Sequence, residues 1–232
     1  FFYIYLMLKI SFNQNYIHPL DENHRFPMIK YELIPEQLLR ENTCSSDNFF
    51  EPGIISDEIV LKTHEKEYFE RFKNLKLSKK EIREIGFPLS KELVEREMVI
   101  AQGTIECVNY SIKHGISMNI AGGTHHAFYD RGEAFCMLND QAIAAKYLIN
   151  KKLAKKIMII DLDVHQGNGT ASIFSTNKEV FTISFHGKKN YPFRKEKSDI
   201  DVEFDDDTDD KFYLNKLKDI IPNAIDNFKP DF

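Results

Sequence analysis

The sequence predicts an α/β fold of three layers, in which helices cover both faces of a mainly parallel β-sheet. Two observations lead to this prediction. After residue 115, short apolar runs of strand length alternate with longer segments of helical periodicity. The runs at 156–162 and 180–185 are apolar almost throughout, as expected of strands buried on both faces. A chain of 232 residues also buries enough surface to hold such a core without disulfide bonds.

The first half of the chain is predicted to be mostly helical. Short strands are predicted at 7–12 and 59–61, and helices at 28–40 and 65–75. A long helix is predicted between Ser90 and Gly115. Serine side chains cap helix N-termini, and glycine tolerates the left-handed backbone that commonly ends a helix.

The second half of the chain is predicted to alternate between strands and helices. Strands are predicted at 118–121, 156–162 and 180–185, helices at 138–150, 169–175 and 209–228, and a further strand is expected to begin at 230–232. Polar clusters at 124–136, 161–169 and 184–193 each follow a predicted strand. Ligands of open parallel sheets bind beyond the carboxyl ends of the strands, so these clusters are expected to lie on one rim.

The charge balance and the cysteines exclude several classes of protein. The chain has 31 basic and 36 acidic side chains, a formal charge of −5, which argues against a general nucleic-acid binder. Cys44, Cys107 and Cys136 form no CxxC pair, so neither a zinc ribbon nor a secreted disulfide scaffold is supported. We therefore expect a cytoplasmic protein.

The N-terminal residues are apolar, but their pattern does not indicate a membrane segment. The stretch FFYIYLML is far shorter than the roughly 20 residues of a membrane span, and it lacks the positive start of a signal peptide. Because the chain does not begin with methionine, Met7 is expected to be the true start, and residues 1–6 are expected to be non-native or extra.

The first candidate site is the segment DLDVH, which ends the apolar run at 156–162. Side chains alternate along a strand, so Asp161, Asp163 and His165 are expected to share one side at its carboxyl end. Two carboxylates and an imidazole make a partial site for a divalent metal, and zinc accepts both oxygen and nitrogen ligands. The alternative is a turn at the strand end with solvated aspartates.

The second candidate site is the pair His125-His126, which follows Gly122-Gly123-Thr124. These histidines are candidates for metal ligands or for acid/base groups. Neighbouring residues of a strand point apart, so the acid/base interpretation is favoured over a shared metal. The alternative is a polar loop with two exposed histidines.

These two segments carry a family resemblance. AGGTHHAFYDRGEAFCMLND followed by DLDVHQGNG resembles the zinc-dependent histone deacetylase superfamily, which includes acetoin-utilisation proteins and acetylpolyamine amidohydrolases. The HQGNG form is similar to the class IV branch and its bacterial relatives. The resemblance implies one histone deacetylase-like domain over residues 7–232, with the α/β fold that arginases and deacetylases share. It also implies a zinc-dependent amidohydrolase that removes acetyl or longer acyl groups from lysine side chains or small amines, with no direct nucleic-acid or membrane partner.

The resemblance also implies roles for the residues of both segments. Asp163 and His165 match two of the three zinc ligands of the family. His126 matches the general base and acid, and His125 matches the histidine that polarises the water. Asp161 matches the carboxylate that orients the histidine at 125, and such outer partners fix the tautomer of a histidine.

The expected substrate tunnel departs from the family pattern in three places. Phe135 matches one aromatic wall, and Tyr191 matches the opposite wall, where phenylalanine is more common. Ala134 replaces a usual glycine whose backbone carbonyl faces the substrate. Asn168 stands where many members have an aspartate paired to the second histidine, so His126 is expected to hold a proton less tightly.

The resemblance implies further groups around this site. A structural potassium ion is expected at Asp161, Asp163, His165, Ser184 and Phe185. The third zinc ligand and a catalytic tyrosine are expected after Phe232, so the sequence is expected to hold the domain without its C-terminal part.

Two other functions remain open at this point. A binuclear-manganese ureohydrolase would show D-x-H-x-D, whereas this chain has D-x-D-x-H. A catalytically incomplete fragment would act only as a cation- or partner-binding module. The N-terminal His18, His24 and Arg25 are expected either to line the pocket entrance or to lie in a polar surface loop.

Overall fold

The structure is a computed structural model and describes residues 8–232. The predicted start at Met7 and the extra residues 1–6 lie outside the described residues. The strands are β1 Lys9–Ser11, β2 Phe49–Phe50, β3 Ser117–Asn119, β4 Ile157–Asp161, β5 Val180–Gly187 and β6 Ile200–Phe204. The α-helices are α1 Lys30–Arg40, α2 Asp57–Val60, α3 Lys66–Lys73, α4 Lys79–Ile85, α5 Lys91–His114, α6 Asp140–Asn150, α7 Asn168–Phe174 and α8 Asp210–Phe228.

The strands form two three-stranded parallel sheets, with the orders β2-β1-β3 and β4-β5-β6. The free edge of β4 meets the last residues of the chain. Asp231 N donates to Lys156 O at 2.9 Å, and Met158 N donates to Phe232 O at 3.0 Å. These backbone hydrogen bonds are of the kind that a neighbouring strand makes, at the place where a further strand was predicted.

The strand β4 is buried on both faces, which makes the fold three layers deep. Ile157 and Ile159 pack into the larger core, together with α5 and α6. Met158 and Ile160 pack on the opposite side against residues of α8. This alternation along one strand confirms the predicted α/β fold with helices on both faces of parallel sheets.

Local capping explains where several helices begin and end. The Ser90 hydroxyl accepts from Leu93 N at 3.1 Å, and Gly115 ends α5 with a φ of 87°. The side chains of Asn139 and Asp209 cap α6 and α8 in the same way. Capping oxygens satisfy backbone N–H groups that have no partner within the helix. The helices predicted from these signals are confirmed.

The strand predicted at 59–61 is wrong, because these residues belong to α2 and the turn that follows it. Three apolar residues cannot distinguish a period of 2 from a period of 3.6. The strands β2 and β6 and the helix α4 were not predicted from the sequence. Among residues 8–232, no helix is long and apolar enough to cross a membrane.

Candidate active site

A cavity of about 550 Å³ lies where the segments after β3, β4 and β5 meet. It contains both members of the histidine pair at 125–126 and both residues predicted to bind metal at 163 and 165. Its other walls include Arg25, Phe26, Lys30, Tyr31, Arg96, Ala134, Phe135, Cys136 and Tyr191. The structure therefore brings together the two segments on which the predicted site depends.

His125 is buried and paired with Asp161, the last residue of β4. Its Nδ1 lies 2.5 Å from Oδ2 of Asp161, so the Nδ1–H group donates to the carboxylate. Burial by itself lowers the pKa of His125, but the hydrogen bond and the negative charge of Asp161 outweigh burial. The net result is a raised pKa, which favours the positively charged form of His125.

His126 is also buried, but its partner is neutral. Its Nδ1 lies 2.7 Å from Oδ1 of Asn168, the first residue of α7. Burial, followed by the positive charge of His125, lowers the pKa of His126 to about 4, although the hydrogen bond to Asn168 opposes the shift. His126 is therefore uncharged at neutral pH and can accept a proton. Neighbouring residues of a strand would point apart, but this pair lies in a turn, and its ring centroids are 4.1 Å apart.

Asp140 at the start of α6 holds the loop that carries the histidine pair. Its carboxylate accepts from the backbone N–H groups of Gly123 and Thr124 at 3.1 and 2.8 Å. It also accepts from the hydroxyl groups of Thr124 and Thr104. Four donors from two segments therefore converge on one buried side chain, and this role was missed because the sequence indicated only a helix start at this position.

The first residues of α7 pack closely against the same loop. A Cβ atom on Gly169 would come within 3.0 Å of the backbone of Ala127 and of the carbonyl carbon of His126. Thr170 N also donates to His125 O at 3.1 Å. Only glycine permits this approach, which places Asn168 within reach of the His126 ring.

Asp163 and His165 lie beyond β4, which ends at Asp161, so the alternation of side chains along a strand does not place them. The side chains of the two aspartates bind the backbone instead. Asp163 N donates to Oδ1 of Asp161 at 3.0 Å, and His165 N donates to Oδ1 of Asp163 at 2.8 Å. Aspartates that accept from the backbone two residues ahead form tight turns, and these turns replace the strand. Asp163 and His165 nevertheless line the same cavity.

The donor atoms of Asp163 and His165 fit two of the ligands of a zinc ion. Nδ1 of His165 lies 2.8 Å from Oδ1 of Asp163, and tetrahedral zinc places two such donors roughly 3.3 Å apart, so a small opening suffices. Burial by itself raises the pKa of Asp163. The hydrogen bond from His165 N–H and the charges of His125 and His165 outweigh burial, so the net pKa is lowered and this carboxylate is ionised. Within residues 8–232, no group of three or more metal-binding side chains occurs, so the described donor set has two members.

The two predicted tunnel walls lie beside the histidines. The Tyr191 ring meets the His126 ring edge-on, with centroids 5.0 Å apart, and lies 6.1 Å from the His165 ring. Phe135 lines the same cavity, and its φ of 67° follows a φ of 45° at Ala134. Two left-handed residues in succession are uncommon outside glycine, and they reverse the chain so that the Phe135 ring faces the cavity.

The N-terminal residues separate into two groups. Arg25 lines the cavity, with its guanidinium carbon 4.9 Å from the centre of the Phe135 ring. His24 does not line the cavity; its Nε2 lies 2.9 Å from Gly86 O, and His18 is buried. Of the three N-terminal residues, Arg25 therefore lies at the cavity, as one of the two alternatives left open by the sequence requires.

The residues expected to hold potassium lie next to the site. Ser184 pairs in register with Asp161 across β4 and β5, and Phe185 is buried in the smaller core. The Ser184 hydroxyl lies 2.9 Å from Nδ1 of His186. Potassium binding at Asp161, Asp163, His165, Ser184 and Phe185 stays a prediction.

Glu133 is a residue of the site that was not predicted from the sequence. The Tyr191 hydroxyl donates to Oε1 of Glu133, and Nδ2 of Asn168 lies 3.4 Å from the same oxygen. Arg131 lies 3.9 Å from the other carboxylate oxygen. No sequence signal marked Glu133, because its partners are 35 and 58 residues away along the chain.

The match with a known family covers most of the chain. The histone deacetylase domain matches residues 21–232. The chain belongs to the histone deacetylase family. The resemblance inferred from the two motifs is therefore confirmed.

Several members of the family are similar to this chain over most of its length. An uncharacterized protein of Picosynechococcus sp. (strain ATCC 27264 / PCC 7002 / PR-6) is 37% identical over 222 residues, which cover 96% of this chain and 74% of that protein. The acetoin utilization protein AcuC of Staphylococcus aureus (strain MSSA476) is 28% identical over 233 residues, which cover 90% of this chain. The chain spans 59% of the length of AcuC.

Solved structures of histone deacetylase homologues share the fold. The crystal structure of an HDAC homolog from Aquifex aeolicus has a TM-score of 0.81 and 21% identity, and it covers 97% of this chain and 66% of that protein. The crystal structure of an HDAC homolog complexed with SAHA has a TM-score of 0.80 at 21% identity, with the same coverage. At this level of identity, the likeness establishes the fold alone.

Proposed function

We propose that the chain carries the water-activating part of a zinc-dependent deacylase, which removes acetyl or longer acyl groups from lysine side chains or small amines. One observation carries this proposal. Two oriented histidines and two candidate metal donors line one cavity in a chain of the histone deacetylase family. The family supports amide hydrolysis, and the cavity supports the residues that would perform it.

The two histidines are suited to different steps because their environments shift their pKa values in opposite directions. His126 is neutral, so it takes a proton from water through Nε2, the ring nitrogen that does not face Asn168. It then returns that proton to the nitrogen of the leaving amine. His125 favours the charged form beside Asp161 and stabilises negative charge that develops on the acyl oxygen.

Asp163 and His165 would hold the zinc ion, and further ligands would come from groups beyond this pair. Zinc, when bound, lowers the pKa of a coordinated water molecule and polarises a carbonyl group. Asp161 supports both parts of the site. One of its oxygens accepts a hydrogen bond from the His125 ring, and the other accepts one from the backbone N–H of Asp163.

The walls of the cavity support a long neutral substrate. Phe135 and Tyr191 offer aromatic surfaces to an aliphatic stem, and acylation has already removed the charge of the lysine ammonium group. Ala134 lines the cavity, and its carbonyl group would accept from the substrate amide. The HDAC homolog structure complexed with SAHA makes SAHA a reasonable first ligand to test.

Zinc content and turnover test the proposal in the protein expressed from its complete gene. We expect about one zinc ion per chain and chelator-sensitive hydrolysis of acetyl-lysine or longer acyl-lysine fluorogenic peptides. Asp163→Asn should reduce the bound zinc several-fold, whereas Asp226→Asn, on the exposed face of α8, should retain it. His126→Ala should lower kcat by about 10²–10⁴ and retain zinc, because a general base contributes that much.

Other results would replace this proposal. Two bound manganese ions with urea release would indicate a ureohydrolase. Absence of both bound metal and turnover would indicate a binding module without catalysis.

A further inference from the structure

The orientation of the Asn168 side chain decides which nitrogen of His126 carries a proton. The amide of Asn168 can present either oxygen or nitrogen to the His126 ring. If Oδ1 faces Nδ1 of His126, that nitrogen must be protonated, and Nε2 keeps a free lone pair. If the amide is reversed, Nδ1 must accept and Nε2 carries the proton, so Nε2 can no longer accept one.

Two contacts hold the amide in the first orientation. Gly169 N donates to Oδ1 of Asn168 at 3.0 Å, which requires an oxygen atom at that position. Nδ2 of Asn168 points to Oε1 of Glu133 at 3.4 Å, which requires a nitrogen atom there. Asn168 itself is only 2% exposed, so water cannot readily replace either partner. Among residues 8–232, Glu133 provides the only hydrogen-bond acceptor for Nδ2 of Asn168.

Glu133 is itself fixed from three sides. The Tyr191 hydroxyl donates to Oε1, and Arg131 lies 3.9 Å from Oε2. The backbone of Glu133 is held in the turn that ends at Cys136, through N–H···O contacts of 2.9 and 3.0 Å in both directions. A phenylalanine at 191 would lack the hydroxyl, so this restraint depends on the tyrosine that the chain carries.

We propose that Glu133 is a positioning residue, which holds the Asn168 amide so that His126 is protonated on Nδ1 and free to accept a proton on Nε2. Its catalytic meaning rests on the proposed function, but its effect on the tautomer of His126 does not. The carboxylate thus acts through the neutral amide, without making contact with His126 itself.

The test measures the tautomer first and the turnover second. Ring ¹⁵N chemical shifts of His126, assigned by their loss in His126→Gln, distinguish Nδ1–H from Nε2–H at about pH 7.5. We expect Nδ1–H in the wild-type protein. Glu133→Ala should give a substantial Nε2–H population, and Glu133→Gln should give an intermediate one, because its amide oxygen still accepts from Nδ2 of Asn168 but without the charge.

Kinetics give the second measurement. In Glu133→Gln, whose amide oxygen still accepts from the Tyr191 hydroxyl, kcat should fall several-fold while KM changes by less than about twofold, because the Tyr191 wall keeps its hydrogen bond. Glu179→Ala serves as the matched control, since Glu179 is an exposed glutamate that directly precedes β5 and does not line the cavity, and the His126 shifts of this variant should match those of the wild-type protein. Glu133→Gln keeps the size of the side chain and serves where Glu133→Ala does not fold.

The outcomes separate the two proposals. If His126 stays Nδ1–H in folded Glu133→Ala and Glu133→Gln, the positioning role is wrong, whatever the turnover. If the tautomer changes but no acyl-lysine peptide is hydrolysed by the wild-type protein, the positioning role stands and the proposed function fails.

Discussion

Substitution of Gly169 by alanine should destabilise the protein and displace His126, the proposed general base. The new Cβ would come within 3.0 Å of the Ala127 backbone and 2.7 Å from the carbonyl carbon of His126. Backbone atoms cannot rotate away as a side chain can, so the cost lies in the upper part of the roughly 1–3 kcal/mol typical of overpacking. Alanine within a helix returns about 0.5–1 kcal/mol relative to glycine. The net loss should be about 1–2 kcal/mol.

Thermal unfolding followed by circular dichroism measures this effect. For a domain of this size, each kcal/mol shifts Tm by about 2–4 °C, so Tm should fall by about 2–8 °C. The control is Gly53→Ala, because a Cβ on Gly53 would meet no atom within 4 Å. That variant should be as stable as the wild-type protein or about 0.4–1 kcal/mol more stable. A Gly169→Ala protein as stable as the Gly53→Ala protein would refute the close approach of α7 to the histidine loop.

Three further predictions follow from single contacts. Ala134→Gly should raise the free energy of unfolding by about 1 kcal/mol in urea titrations, because the φ of 45° at Ala134 strains a residue that has a Cβ; an unchanged midpoint would contradict this reasoning. Asn168→Asp should raise the pKa of His126 and move the acid limb of the kcat/KM profile to higher pH, because a carboxylate favours the charged imidazole; an unmoved acid limb would show that the partner charge is not felt. Burial raises the pKa of Glu97 from its ordinary 4.5 to about 7, although the charge of Arg96 opposes the shift. The contribution of Glu97 to the free energy of unfolding is therefore fully present below about pH 4.5 and is lost as the pH rises through 7. Glu97→Gln should therefore gain stability relative to wild type between about pH 5 and pH 8, measured by urea unfolding at both values, and an equal difference at the two values would argue against the shift.

Features that depend on a few neighbouring residues could be predicted from the sequence. Ser90, Asn139 and Asp209 each cap a helix that was expected near that position, because a capping side chain reaches only two or three residues ahead. The burial of β4 on both faces followed from its unbroken apolar run. The helix α2 was mistaken for a strand because its apolar run is too short to show a period.

Contacts between distant residues could be predicted only through the family resemblance, or not at all. The pairs His125–Asp161 and His126–Asn168 span 36 and 42 residues, and only the two motifs indicated that they meet. Strand alternation was used to place Asp163 and His165 on the side of Asp161, whereas aspartate side chains bend the chain after Asp161. Glu133 has no motif partner, so its contacts with Asn168 and Tyr191 emerge only from the folded chain.

The carboxylate of Asp161 makes two contacts that support different parts of the site. Its Oδ2 accepts a hydrogen bond from Nδ1–H of His125, and its Oδ1 accepts one from the backbone N–H of Asp163. A small shift at the end of β4 would therefore move the His125 ring and Asp163, the proposed metal donor, together. A substitution at Asp161 would therefore disturb the orientation of the His125 ring and the backbone turn at Asp163 at the same time.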